Sequence, residues 1–148
     1  MKSNTVKLHR VLRTTPEKLY KAVLDPDAVV KWLPPNGFTC KVHKLNAKVG
    51  GAFKMSFTNF GPGNSHYFAG KYLELVQDKK IRYISIFDDP NLPGSMQTTI
   101  TLKKVICGTE ISIVQEGIPT AIPTEMCYLG WQESLILLAK LVEPEIPG

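Results

Sequence analysis

The chain of 148 residues has few of the features that mark a specialised class of protein. Its three cysteines, Cys40, Cys107 and Cys127, are widely spaced, which excludes a disulfide framework, and no zinc-type spacing is present. No apolar run approaches the roughly 20 residues of a transmembrane helix. No apolar segment near Met1 resembles a signal peptide. We therefore expect reduced cysteines, mostly in the core, in a cytoplasmic protein.

Runs of like charge are also missing. Lysine and arginine number 18 against 13 acidic residues, a formal charge of +5, but no basic run exceeds two residues. A scattered set of this kind is typical of the solvated face of strands, whereas a nucleic-acid site needs a clustered patch. We expect no nucleic-acid partner.

Motifs for catalysis are sparse. There is no P-loop and no G-x-S-x-G, and the three histidines lie far apart. Cys40 and His43 are three residues apart in a predicted strand, so they point to opposite faces and cannot share a metal. Glu116 and His66 could face a cavity mouth as acid and base, although exposed strand-end side chains are the commoner explanation. We predict no catalytic residue, no metal and no cofactor.

What the chain does have is alternation of apolar and polar residues, the pattern of half-buried strands. Val6, Leu8 and Leu12 mark a first strand. Thr15-Pro16 and Asp25-Pro26 are typical starts of two short helices. Six further strands are predicted in hairpins, over 38–44, 53–58, 67–76, 81–87, 99–103 and 111–113.

The last element has a helical period. Trp131, Leu135, Leu138 and Val142 share one face of a helix of 18 to 20 residues that begins near Pro123. Met126, Cys127 and Tyr128 extend this apolar stripe towards the start of the helix, and Leu137 and Leu141 widen it. A helix that is apolar over most of its circumference is expected to be buried.

These elements predict an α+β fold in one domain, residues 1–148. Hairpins give an antiparallel sheet, and its seven strands need an apolar cover, which only the terminal helix can supply. We expect the twisted sheet to curl around this helix. A cavity between the two layers is a common consequence.

The order of elements resembles the helix-grip fold of START-related lipid-transfer proteins, polyketide cyclases and pollen allergens, the SRPBCC group. Within it the chain is similar to homologues of the activator of the heat-shock protein 90 ATPase. The matching segments are 13–22, Asp25-Pro26, Lys31-Trp32, Asn36-Gly37-Phe38, 49–53, 68–72 and 130–135. The sequence departs from this pattern at Leu33, where many bacterial relatives have a second tryptophan, and at Cys127, where relatives often have histidine.

The resemblance implies three functions, and the sequence leaves them open. The first is non-enzymatic binding of a small apolar or amphipathic ligand, such as a lipid, between sheet and helix. The second is a co-chaperone module for a heat-shock chaperone, with a role in the stress response. The third is a cyclase-like or hydrolase-like enzyme that uses the same cavity. Homodimerisation is a further expectation.

The candidate cavity lining comes from one face of the sheet and from the helices. It comprises Trp32, Phe53, Met55, Phe57, Phe68, Tyr72, Phe87, Met96, Ile100, Ile113, Tyr128, Trp131 and Leu135. The alternative is that these side chains fill the core completely. Gly70 in mid-strand favours a gap, and Tyr72, Tyr128 and Trp131 are the polar groups that would need partners. If Trp131 belongs to the core, Trp131→Ala should cost about 3–5 kcal/mol of stability.

Overall fold

The computed structural model describes residues 4–148, as seven strands, two short helices and one long helix. In chain order the elements are β1 (Val6–Leu12), α1 (Pro16–Leu24), α2 (Pro26–Trp32), β2 (Phe38–Leu45), β3 (Ala52–Asn59), β4 (Ser65–Val76), β5 (Lys80–Phe87), β6 (Met96–Val105), β7 (Gly108–Glu116) and α3 (Thr124–Val142).

The seven strands form one antiparallel sheet in the order β1-β7-β6-β5-β4-β3-β2. From β2 to β7, strands that are adjacent in the sheet are also consecutive in sequence, so hairpins connect them. Strand β1 pairs with β7 at the edge of the sheet. Register shifts between Val42 and Lys44 and between Tyr72 and Glu74 bend the strands. The predicted α+β helix-grip fold, a sheet curled around the terminal helix, is confirmed.

The two short helices begin where capping chemistry predicts. The Thr15 hydroxyl accepts a hydrogen bond from the Lys18 N–H at 3.2 Å, and the Asp25 carboxylate accepts one from the Asp27 N–H at 2.9 Å. A proline follows each cap at the first helical position, where its missing N–H costs nothing.

Helix α3 buries one face, which contains the predicted stripe of Trp131, Leu135, Leu138 and Val142. It packs against α2, β1 and α1. The sequence predicts a buried helix that is not merely laid on a surface, but α3 buries only one face. Met126 is 62% exposed and Tyr128 40% exposed, so neither extends the buried stripe.

The cysteines are less buried than predicted. Cys40 and Cys127 are half-buried, and Cys107 is exposed. Cys107 lies in the turn between β6 and β7, beside the exposed Ile106. Both residues of this turn are exposed, so neither packs in the core. Within residues 4–148, no helix is both long enough and apolar enough to cross a membrane.

Candidate ligand cavity

A cavity of about 280 Å³ lies between the concave face of the sheet and the N-terminal half of α3. Strands β3 to β7 supply its floor, α3 supplies one wall, and the segment after α2 borders its mouth. The lining residues are Leu33, Pro35, Phe57, Phe68, Tyr83, Ser85, Phe87, Met96, Gln115, Cys127, Gly130, Trp131 and Ser134.

Five of the predicted lining residues meet here: Phe57, Phe68, Phe87, Met96 and Trp131. The aromatic rings stand edge to face. The ring centroids of Phe57 and Phe68 are 5.0 Å apart, and those of Phe68 and Phe87 are 6.5 Å apart. Such contacts hold the rings as walls without closing the space between them.

Five other predicted residues lie deeper, around a second void of about 30 Å³. These are Trp32, Phe53, Met55, Tyr72 and Ile100. A space of that size is close to the volume of one water molecule, so the inner half of the predicted cavity is nearly filled. The two voids share Leu33, Phe68 and Tyr83 as a common partition.

The remaining three predicted residues line neither void. Ile113 and Leu135 are fully packed core side chains, 0% and 2% exposed. The predicted lining residue Tyr128 lies outside the cavity, beside Val6 and Leu129 in a shallow surface depression. It sits one residue after Cys127, which turns it about a quarter of a helical turn away from the cavity.

Gly70 does not leave the gap that its position in β4 suggests. A Cβ atom there would collide with the ring of Phe53 and with the Ile84 carbonyl oxygen. The missing side chain therefore makes room for an aromatic ring. Gly130 is the opposite case, because it lines the cavity and a Cβ atom added to it meets nothing within 4 Å.

A chain of hydrogen bonds crosses the floor of the cavity. The Trp131 indole N–H donates to Gln115 Oε1 at 3.1 Å, and Gln115 Nε2 donates to Thr98 Oγ1 at 3.2 Å. Thr98 lies directly opposite Tyr83 in the register of β5 and β6. Sequence reasoning missed Gln115, although alternation in β7 places it on the same face as Ile111 and Ile113.

The ionisable groups that border the cavity are uncharged near neutral pH. Burial raises the pKa of Tyr83 to about 12, with hydrogen bonding to Thr98 as a smaller opposing effect. Burial also raises the pKa of the Cys127 thiol. The two departures from the family pattern, Leu33 and Cys127, both lie in this lining.

The candidate acid and base do not converge. His66 lies directly opposite Phe57 in the register and therefore faces the concave side, where it is exposed near Phe38. Glu116 is on the outer face of β7, and its inward-pointing neighbour is Gln115. Among residues 4–148, no cluster of three or more metal-ligating side chains occurs.

Comparison with known proteins identifies the family. The model of the "Activator of Hsp90 ATPase homolog 1-like protein" family matches residues 13–143. A protein from Chromobacterium violaceum has 60% sequence identity and a TM-score of 0.95, over 96% of this chain and 99% of its own.

More distant structures share the fold. The AHSA1 protein from Silicibacter pomeroyi has 17% identity and a TM-score of 0.80, over 93% of this chain and 96% of its own. The AHSA1-like protein from Aeromonas hydrophila has 15% identity and a TM-score of 0.75, over 92% and 90%. No curated protein matches the sequence. The chain belongs to the family of proteins like homologue 1 of the activator of the Hsp90 ATPase.

Proposed function

We propose that the protein binds a small apolar molecule in the cavity between the sheet and α3, without catalysing a reaction on it. The observation that carries this proposal is the unfilled space of about 280 Å³ among aromatic side chains. Protein interiors are close-packed, and voids larger than a water molecule are few. A space this large that opens beside ordered rings is typical of a ligand site.

Burial of the ligand's apolar surface would supply the affinity. Removing apolar surface from water contributes about 25 cal/mol per Å². The lining has no pair of side chains arranged as nucleophile and base, since His66 and Glu116 are on opposite faces of the sheet. This separation supports binding over the enzyme alternative.

Gly130 allows a direct test. Gly130 lines the cavity, and a Cβ atom added to it meets nothing within 4 Å. We therefore expect Gly130→Leu to fill the site without disturbing the core. Gln132→Leu adds the same side chain at an exposed position of α3 and is the matched control. Naphthalene at 100 times its dissociation constant should raise the melting temperature of wild type and of Gln132→Leu by about 5–10 °C.

The Gly130→Leu protein should melt at the same temperature with and without naphthalene. If wild type also shows no change with naphthalene or with decanol up to their solubility limits, the proposal is wrong. If Gly130→Leu responds as strongly as wild type, the ligand binds somewhere else.

A second candidate function is a co-chaperone module, and two observations favour it. One is the family match itself. The other is the exposed apolar surface of α3, where Met126, Leu129 and Ile136 are 62%, 52% and 44% exposed. Stimulation of a purified Hsp90-type ATPase, lost on Met126→Glu, would support this function, and no stimulation at micromolar concentrations would contradict it. The same apolar surface of α3 would form the interface of the expected homodimer. Sedimentation velocity measures whether the chain is a monomer or a dimer in solution.

The cytoplasmic location is likewise a proposal. An exposed thiol such as that of Cys107 is compatible with a reducing compartment. A link to the stress response depends on the chaperone partner and shares its test.

A further inference from the structure

We infer that the cavity selects an uncharged aromatic molecule of about two fused rings, and that Gln115 determines specificity by hydrogen-bonding the polar group of that molecule. The inference rests on the proposed function and narrows it, because it excludes fatty acids and other long-chain lipids as the preferred ligand. Three observations support the inference: the volume of the cavity, the charges of its lining, and the unused hydrogen-bonding groups of Gln115.

The size of the cavity sets the size of the ligand. An apolar cavity of about 150 Å³ holds one benzene ring. The cavity here, about 280 Å³, is roughly twice as large and therefore accommodates about 11 non-hydrogen atoms. A long alkyl chain has more atoms than that. The inner void of about 30 Å³ cannot take the excess, so the rest of the chain would extend through the mouth into water and gain no burial.

The charges of the site select against ions. None of the described residues that line the cavity is acidic or basic. An ion bound there would lose its hydration without gaining a partner, which costs several kcal/mol. The carboxylate of Glu133 lies beside the mouth of the cavity. Its Oε1 accepts a hydrogen bond from the Asn36 N–H at 3.0 Å, and Asn36 follows the lining residue Pro35. The negative charge of Glu133 would repel an anionic ligand.

The walls favour a flat ring. Phe57, Phe68, Phe87 and Trp131 present ring faces and edges from three strands and from α3. An aromatic guest gains about 0.5–1.5 kcal/mol per favourable ring pair beyond the burial of its surface. A saturated guest of the same shape gains only the burial.

Gln115 has hydrogen-bonding capacity left over. Its amide carries two N–H groups and a carbonyl oxygen with two lone pairs. Trp131 occupies one lone pair, and Thr98 takes one N–H. One N–H and one lone pair remain, and the two bonds already formed fix the orientation of the amide. A ligand hydroxyl can accept from this N–H, donate to this lone pair, or do both.

Calorimetric titration of the 148-residue chain with matched probes tests the inference. We expect 2-naphthol to bind about 3–10 times more tightly than its saturated counterpart decahydro-2-naphthol. It should bind at least about 100 times more tightly than 2-naphthoate or 2-naphthylmethylammonium. Palmitate should bind more weakly than 2-naphthol.

The role of Gln115 has its own readout. Gln115→Leu should weaken 2-naphthol binding about 3–10-fold and leave naphthalene binding unchanged, whereas a purely structural role would weaken both equally. If Gln115→Leu fails to fold, the comparison of 2-naphthol with naphthalene on wild type replaces it. Equal affinity of wild type for the two compounds would remove the role assigned to Gln115.

The remaining outcomes separate the two proposals. Tighter binding of palmitate, of the saturated alcohol or of either ion would overturn the inference and leave ligand binding in the cavity standing. If none of the probes binds, naphthalene included, both the proposed function and this inference are wrong.

Discussion

Replacing Trp131 tests whether one side chain both closes the core and borders the cavity. Its indole is 7% exposed, its ring centroid is 6.5 Å from that of Trp32, and its N–H is bonded to Gln115. Truncation of a buried tryptophan to alanine costs about 3–5 kcal/mol. Because part of the indole already faces open space, and water can enter to hydrate Gln115, we expect the lower limit of about 3 kcal/mol.

For a chain of this length, 1 kcal/mol corresponds to about 2–4 °C in melting temperature. Trp131→Ala should therefore melt about 6–12 °C lower than wild type in calorimetry. Trp131→Phe keeps a ring but loses the hydrogen bond to Gln115, so its midpoint should fall between the two. Met126→Ala, an exposed position on the same helix, is the control and should change little. Equal midpoints for Trp131→Ala and Met126→Ala would show that Trp131 does not seal the core.

Three further predictions concern side chains around the cavity and in the sheet. Gly70→Ala should destabilise the fold by about 1–3 kcal/mol in urea unfolding, since the added Cβ meets the Phe53 ring; an unchanged midpoint would contradict this packing. Burial raises the pKa of Cys40 from 9.0 to about 11, so at pH 8 its thiolate is about 100-fold scarcer than that of a thiol with a pKa of 9.0. Ellman's reagent should therefore label the exposed Cys107 before Cys40. If Cys40 reacts as fast as Cys107, Cys40 is not buried. The unfolded chain loses the Tyr83 proton near pH 10 and the folded chain keeps it to about pH 12. The contribution of Tyr83 to the free energy of unfolding should therefore be fully present below pH 10 and be lost between pH 10 and 12. The free energy of unfolding should fall less steeply with pH in Tyr83→Phe than in wild type. Identical slopes in the two proteins would show that Tyr83 is not the group responsible.

The fold could be predicted because its signals are local. Alternation fixed the faces of the strands, and Thr15-Pro16 and Asp25-Pro26 marked the two helix starts through capping that depends on adjacent residues. Helix α3 was predicted at nearly its observed length. The burial of Met126 and Tyr128 was predicted wrongly, because both are apolar but lie off the face that the helix buries. Periodicity gives the face of a helix and says nothing about how far its cover extends.

The candidate site was predicted only in part, because free space depends on three-dimensional packing. Phe53 and Phe57 lie on the same face of the same strand, yet Phe53 fills the space above Gly70 while Phe57 borders an open cavity. Gln115 went unnoticed because a polar residue near a strand end is usually exposed. Its burial depends on Trp131, a residue 16 positions away.

The central claim is that an unfilled apolar cavity beside Trp131 accepts an uncharged aromatic ring. The chain has two tryptophans, and their indole N–H signals are separate reporters in ¹H–¹⁵N NMR. Trp131 borders the open cavity, whereas Trp32 borders the inner void and donates to the Ala22 carbonyl at 2.9 Å. Titration with naphthalene should shift the Trp131 signal strongly through the ring current and the Trp32 signal much less. If neither indole signal moves at saturating naphthalene, the cavity does not bind aromatic molecules and the account is contradicted.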